Sequence, residues 1–238
     1  MKDLHGKKVI VLGATGGIGE GITRQLLQNG ATVIALSRTE EKLNDLTNYV
    51  SDIQRGEFIP YAINTDQPEQ ESNTIRNQLA QQFGPIDGAI ISIGAWGKTG
   101  VPLIDVTDEM WEQAITDNLT SHFRAVRILV PLLKESGALI HLSGLSADLP
   151  YPGAGLIGLT NAAKKSLLLT LAAERSHPNP RIYEMIIGPI RTRERIKNGV
   201  ARHNWFDPEV IGEYSSELIL EDTPASEETL HYLVERKP

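Results

Sequence analysis

Six short apolar runs recur along this chain, each separated from the next by a stretch of helical periodicity. No other feature constrains the fold as strongly. The runs are "KKVIVLG", "TVIALS", "EFIPYAI", "IDGAIISIG", "GALIHLSG" and "RIYEMIIG". Near-continuous Val, Ile, Leu and Ala mark strands covered on both faces. The intervening segments "GEGITRQLLQNG", "TEEKLNDLTNYVSDIQ" and "QPEQESNTIRNQLAQQFG", a long stretch within 106–136, and residues 156–176 read as helices. Such alternation gives a parallel sheet wound on both sides by right-handed crossovers. One domain over residues 1–238 is expected, with the long fourth helix bending or breaking near Pro131. Beyond residue 198, "DPEVIGEYSSELIL" predicts a helix capped by Asp207 with Pro208 in its first turn. The segment "ETLHYLVE" predicts an edge strand.

Such a sheet needs a core, and 238 residues at 40% hydrophobic content supply one. With 23 Lys and Arg against 30 Asp and Glu, the formal charge is −7. That surplus of acid argues against nucleic acid or an anionic membrane as partner. The tightest basic group, Arg191 to Lys197, is interrupted by Glu194. Cysteine is absent, so disulfides and thiolate chemistry are excluded. No His or carboxylate group has metal-ligand spacing, and no metal is expected. No run approaches the ~20 apolar residues of a membrane helix, and "MKDLHGKKVIVLGATGG" lacks a signal-peptide core. A cytoplasmic protein is the expectation.

After the first strand comes Gly13-Ala14-Thr15-Gly16-Gly17-Ile18-Gly19. Its glycines permit a tight turn, close approach of backbone to a pyrophosphate, and close packing of helix on strand. The phosphates would lie against free N–H groups at a helix start. At the end of the second strand, an acidic residue would accept hydrogen bonds from the ribose of NAD. This chain has Ser37 and Arg38 instead. A guanidinium pairs with a 2′-phosphate and stacks on adenine, so NADP(H) is the expected cofactor.

The glycine spacing, the six strand–helix units and the length resemble the short-chain dehydrogenase/reductase family, from Lys7 to about Leu220. The resemblance implies a three-layer α/β/α Rossmann fold with a doubly wound parallel sheet. "ISIG" lies over the family's Asn-Asn-Ala-Gly, keeping only Gly94. Asn118 in "ITDNLTSHF" matches the family's helix asparagine. "IIGPIRT" is similar to the family's Pro-Gly-x-x-x-Thr, with Gly188 retained and Thr192 where the nicotinamide carboxamide is bonded. The cofactor set implied is Gly13, Thr15, Gly17, Ile18, Gly19, Ser37, Arg38, Asn64, Gly94, Asn161, Gly188 and Thr192.

The family's chemistry uses a serine after strand five and a Tyr-x-x-x-Lys on the next helix, the tyrosine acting as general acid. Here "IHLSG" and "LAAE" each anchor the match, and both give one register: Gly144, Ile157 and Asn161 hold the three positions. The expected function is therefore an NADP(H)-binding protein of this family without the standard catalytic residues, acting in binding or regulation. The alternative is an atypical NADP(H)-dependent oxidoreductase that reduces a small carbonyl compound. Its proton would come from Tyr151 in "LPYPGAG", from a water held by Asn118, or from the substrate itself. Ser143 and Ser146 read as turn hydroxyls. His122 reads as a packed helix histidine, and His141 as facing another side of the sheet, with no partner at an activating spacing. The apolar "LLLTLAA" exceeds one buried stripe, and the family pairs this helix across an interface, so a homodimer or homotetramer is expected.

Overall fold

In a computed structural model, residues 2–64, 69–95, 97, 99–174 and 179–234 are described. The chain runs β1 (Lys8–Leu12), α1 (Gly19–Gln28), β2 (Thr32–Ser37), α2 (Glu40–Val50), β3 (Glu57–Ala62), α3 (Glu69–Phe83) and β4 (Ile86–Ile91). It continues through α4 (Asp108–Ile115), α5 (Ser121–Leu129), β5 (Leu133–Gly144), α6 (Gly155–Glu174) and β6 (Arg181–Ile187). The last elements are α7 (Arg193–Lys197), α8 (Pro208–Leu220) and β7 (Leu230–Leu233). The strands form one parallel sheet in the order β3-β2-β1-β4-β5-β6-β7. This is the doubly wound arrangement that the alternating pattern predicts.

The order reverses between β1 and β4, and the crevice above that reversal is where such sheets bind ligands. In β1, Val9 and Val11 pack on one face with Ile22 and Leu26 of α1 and Ile211 of α8. Ile10 and Leu12 pack on the opposite face with Leu79 of α3, Leu129 of α5 and Leu168 of α6. A strand covered on both faces is filled mainly by apolar residues, which is why these runs do not alternate regularly with polar ones.

The fourth helix of the sequence reading is two helices. A single π turn, Thr116–Thr120, joins α4 to α5. The helical path ends in a 3-10 turn, Val130–Leu132. "LKES", expected as helix, is already β5. Pro131 cannot donate to the preceding turn and its ring blocks continuation. The released chain pairs at once, with Leu133 beside Ile86 and Lys134 Nζ 2.9 Å from Asp87 Oδ1.

Asp207 stands at the N-cap of α8, but its side chain makes no capping bond and pairs instead with Arg191 at 3.1 Å. The expected edge strand forms as β7, parallel to β6. The expected start of the third helix, at Gln67, lies outside the described residues. At the other edge, β3 carries Pro60 opposite Ala35. Glu57 N–H donates inward to Ala31 O at 3.0 Å and Ile63 N–H to Ser37 O at 2.8 Å. Odd-numbered residues of β3 therefore face β2, and the N–H that proline lacks would have pointed outward.

Candidate cofactor and catalytic site

The crevice over β1 and β4 is built from backbone. Gly13 has φ +84°, and a Cβ there would lie 2.5 Å from the carbonyl oxygen of Ser92. A Cβ on Gly19 would lie 2.1 Å from the carbonyl oxygen of Gly13, so α1 starts in direct contact with the turn. No side chain caps α1. Gly16 N–H donates to Gly13 O at 3.0 Å, while among the described residues the N–H groups of Gly17, Ile18 and Gly19 have no backbone acceptor. Open donors at a helix start fit a pyrophosphate.

Thr15 and Ser37, far apart in sequence, come together here with their hydroxyl oxygens 2.8 Å apart. Arg38 follows on the exposed rim and Asn64 is exposed just past β3. These four occupy the end of the crevice above β1, β2 and β3.

The other end is more tightly engaged. Thr192 lies over Gly17, whose Cβ would fall 2.9 Å from Thr192 Cβ. Its hydroxyl accepts the Arg195 N–H at 3.3 Å and so caps α7. Gly188 N–H donates to Leu233 O at 2.8 Å, and backbone of Val234 fills the space where a Cβ would stand. Gly94 borders Asn118, whose Oδ1 lies 3.9 Å from the Cβ position. Asn118 sits in the π turn, buried, and its Oδ1 accepts the Ala95 N–H at 2.9 Å. It thereby holds the loop that follows β4.

Asn161 Nδ2 donates to Ser146 Oγ at 2.9 Å, so Ser146 is a partner of Asn161 and not merely a turn hydroxyl. A Cβ at Gly144 would lie 3.1 Å from Asn161 Nδ2, so the asparagine amide uses space next to the missing side chain. Ile157 and Asn118 line a cavity of about 450 Å³ with Met110, Ala114 and Ala154. Tyr151 is 55% exposed on the preceding loop and is not among the residues that line this cavity.

Beneath these groups the structure shows a cluster that the sequence reading missed. Helix α6 buries Thr160, Asn161, Lys164 and Leu168, a stripe at helical spacing that is mostly polar. Lys164 faces β5 and β6. There His122 Nδ1 lies 2.7 Å from His141 Nε2, and His141 Nδ1 lies 2.6 Å from Glu184 Oε2. The two histidines, for which no partner at an activating spacing was expected, are thus bonded to each other, and His141 meets Glu184 because the two are register partners on neighbouring strands. A glutamate in the middle of the run "RIYEMII", buried from Ile182 to Ile187, was the available signal, since a carboxylate there requires partners. Burial pushes the Lys164 ammonium down to about 8, against the opposing pull of Glu184. Burial also holds His122 well below the ordinary histidine range, assisted by the charges of Lys164 and His141. Among the described residues no acidic or histidine group has a metal-binding arrangement.

The lowered His122 has a consequence for stability. The unfolded chain takes up a proton near pH 6.5 that the folded chain refuses, so stability present above that pH is lost as pH falls. The unfolding free energy should drop between pH 7 and 5 by up to about 1.4 kcal/mol per pH unit from this group. Urea unfolding across that range checks it, and His122→Gln should flatten the slope.

A family model described as enoyl-(acyl carrier protein) reductase matches residues 13–211. The chain is a member of the short-chain dehydrogenase/reductase family. Among curated relatives, the 3-oxoacyl-[acyl-carrier-protein] reductase FabG of Thermotoga maritima is 28% identical over 174 residues, covering 69% of each chain. An uncharacterized oxidoreductase of Listeria innocua, Lin0452, is 27% identical over 189 residues, covering 78% of this chain and 74% of its own. Solved structures share the fold at lower identity. A short-chain dehydrogenase from Salmonella enterica serovar Typhi superposes with TM-score 0.83 at 22% identity over 96% of each chain. The L-sorbose reductase of Gluconobacter frateurii, solved with NADPH and L-sorbose, gives TM-score 0.81 at 19% identity, covering 98% of this chain and 96% of its own. Members of this oxidoreductase family bind nicotinamide dinucleotides, and the open turn from Gly13 to Gly19 is where this member would hold the pyrophosphate. No helix among the described residues is long and apolar enough to cross a membrane.

Proposed function

We propose that this family member binds NADP(H) in the crevice over β1 and β4, and does so without the family's standard proton donor. The observation that carries the cofactor reading is the pairing of Thr15 with Ser37. It puts two hydroxyls beside the Arg38 position, with no carboxylate at the end of β2 to favour a bare ribose. Arg38 and Ser37 would hold the 2′-phosphate, and the N–H groups of Gly17, Ile18 and Gly19 the pyrophosphate. Asn161 would reach the nicotinamide ribose. The dinucleotide supplies hydride chemistry when bound, and the protein supplies orientation.

The second element of the reading rests on Gly144, Ile157 and Asn161. A hydrocarbon side chain at 157 carries no proton to give, and Asn161, engaged with Ser146, supplies no cation. The role this supports is a cofactor-responsive binding or regulatory protein. The exposed Trp111, Phe123 and Leu159 on α4, α5 and α6 support self-association through those helices into a homodimer or homotetramer.

Titration of NADPH fluorescence tests the cofactor. Saturable binding should be tighter for NADPH than for NADH. Arg38→Ala should weaken NADPH by about 10- to 100-fold, the value of a charge-assisted hydrogen bond, and leave NADH nearly unchanged. Equal affinities for the two dinucleotides would refute the assignment. NADPH oxidation with a panel of aldehydes, ketones and quinones tests the missing donor. Turnover that disappears in Tyr151→Phe with binding intact would replace the regulatory reading with that of an atypical carbonyl reductase.

A further inference from the structure

Asn118 and Asn161 each border the site, and on their elements and on β5 a further titratable group lies one step beneath. Asn118 in the π turn is followed four residues later by His122. Asn161 on α6 is followed three residues later by Lys164 on the same buried stripe. Ser143 at the end of β5 is preceded two residues earlier by His141 on the same face of the strand. Glu184 on β6 completes the layer. His122, His141 and Glu184 are fully buried and Lys164 is 4% exposed.

The bonds from His122 through His141 to Glu184 are continuous. A carboxylate accepts, so His141 Nδ1 donates to Glu184. Around this chain, His122 Nε2, Ser143 Oγ and Glu184 Oε1 are buried without a hydrogen-bond partner. Apolar residues of similar volume would fill the layer at equal or lower free energy, so its cost points to a use. The titratable groups around one another are Lys164 from α6, Glu184 from β6, His141 from β5 and His122 from α5. The neighbouring Lys165 is turned to the surface, where it pairs with Asp148 and Tyr232.

We propose that buried Lys164, held on α6 beside the hydrogen-bonded chain His122–His141–Glu184, releases a proton when a cationic nicotinamide occupies the dinucleotide site one turn above it. This rests on the NADP(H) reading. The oxidised ring carries a positive charge and the reduced ring does not. Asn161 stands one turn of α6 from Lys164, so that charge would lie within range of the ammonium. At such separations and an effective protein dielectric, a unit charge shifts an ionisation by about one pKa unit. A lysine titrating at about 8 is half protonated at pH 8. The shift would expel about 0.4 proton per site. Reduced cofactor would expel almost none.

Calorimetric titration of NADP⁺ and of NADPH at pH 8, each in HEPES and in Tris, reads proton release from the difference in binding heat between buffers. Release of about 0.4 proton with NADP⁺ and near zero with NADPH supports the proposal. Lys164→Arg keeps the charge but cannot give up its proton, and it should lose the release while still binding NADP⁺. The double variant Lys164→Met/Glu184→Gln, which removes both charges together, should also lose it and guards against a fold defect in the first. Equal release from the two redox forms, or release that persists in Lys164→Arg, would overturn the proposal. The ligand-free chain gives a check independent of the cofactor. The ¹³C shift of the Lys164 ε-carbon should titrate near pH 8, and a midpoint above about 10, the ordinary lysine range, would sink the proposal even if NADPH binds. Failure of either dinucleotide to bind would remove the NADP(H) reading and this inference with it.

Discussion

Glu184→Ala is expected to lower the unfolding free energy by about 3 kcal/mol, combining a lost buried hydrogen bond with the void left by the side chain. The carboxylate accepts the His141 bond at 2.6 Å with no solvent access, and it is the negative charge acting on buried Lys164. Without it, the imidazole loses its acceptor, the ammonium loses its counter-charge, and a void opens between β6 and α6. The loss should be non-additive. In the Glu184→Ala/Lys164→Met double variant, both charges leave together, and the destabilisation should fall below the sum of the single variants by at least about 1 kcal/mol. Urea denaturation of the four chains measures this cycle. Additive behaviour would show that Lys164 and Glu184 do not sense each other.

The second large effect is at the phosphate turn. Gly13→Ala should destabilise the chain by about 3 kcal/mol, combining a left-handed backbone penalty with steric overlap. The residue has φ +84°, and the added carbon would sit 2.5 Å from backbone of Ser92, which cannot rotate away. Gly16→Ala provides the control. Its added carbon meets only the Gly13 carbonyl oxygen at 3.3 Å, and its φ is not positive, so its cost should stay near 1 kcal/mol or less. Thermal and urea unfolding should rank the two variants in that order. A reversed ranking would mean that the turn is not seated against β4.

The fold was legible because burial on both faces fills a parallel strand mainly with apolar residues. β2 matches "TVIALS" end to end. The break between α4 and β5 was legible only in outline. Pro131 announced a stop, but "LKES" looks equally at home in a helix, and it is held as strand by Leu133 pairing with Ile86 and Lys134 bonding Asp87, some 47 residues earlier in the chain. The glycine turn and the end of β2 were readable as separate motifs, whereas the bond between Thr15 and Ser37 required the fold to bring them together.

The buried layer was hardest to read. His122, His141 and Glu184 belong to three elements, and no sequence spacing relates them. On α6 the apolar "LLLTLAA" run exceeds one buried stripe and points to an interface. The buried positions are instead Thr160, Asn161, Lys164 and Leu168, while Leu159 is exposed. Counting apolar residues finds Leu168 and its neighbours Leu167 and Leu171 on the core but misses the polar groups that the first half of the helix turns inward. Burial against specific strands, not composition, fixes which face is which.

Pro60 governs what can join the sheet beyond β3. Inward, the strand keeps every donor it needs, because the N–H groups of Glu57 and Ile63 already point to β2. Outward, Phe58 and Ala62 are left with a missing rung between them, so an incoming strand would find its middle hydrogen bond unavailable and a pyrrolidine ring in its path. One imino acid thus terminates the sheet on that side, and growth by strand addition into fibrils is obstructed there at no expense to the native ladder.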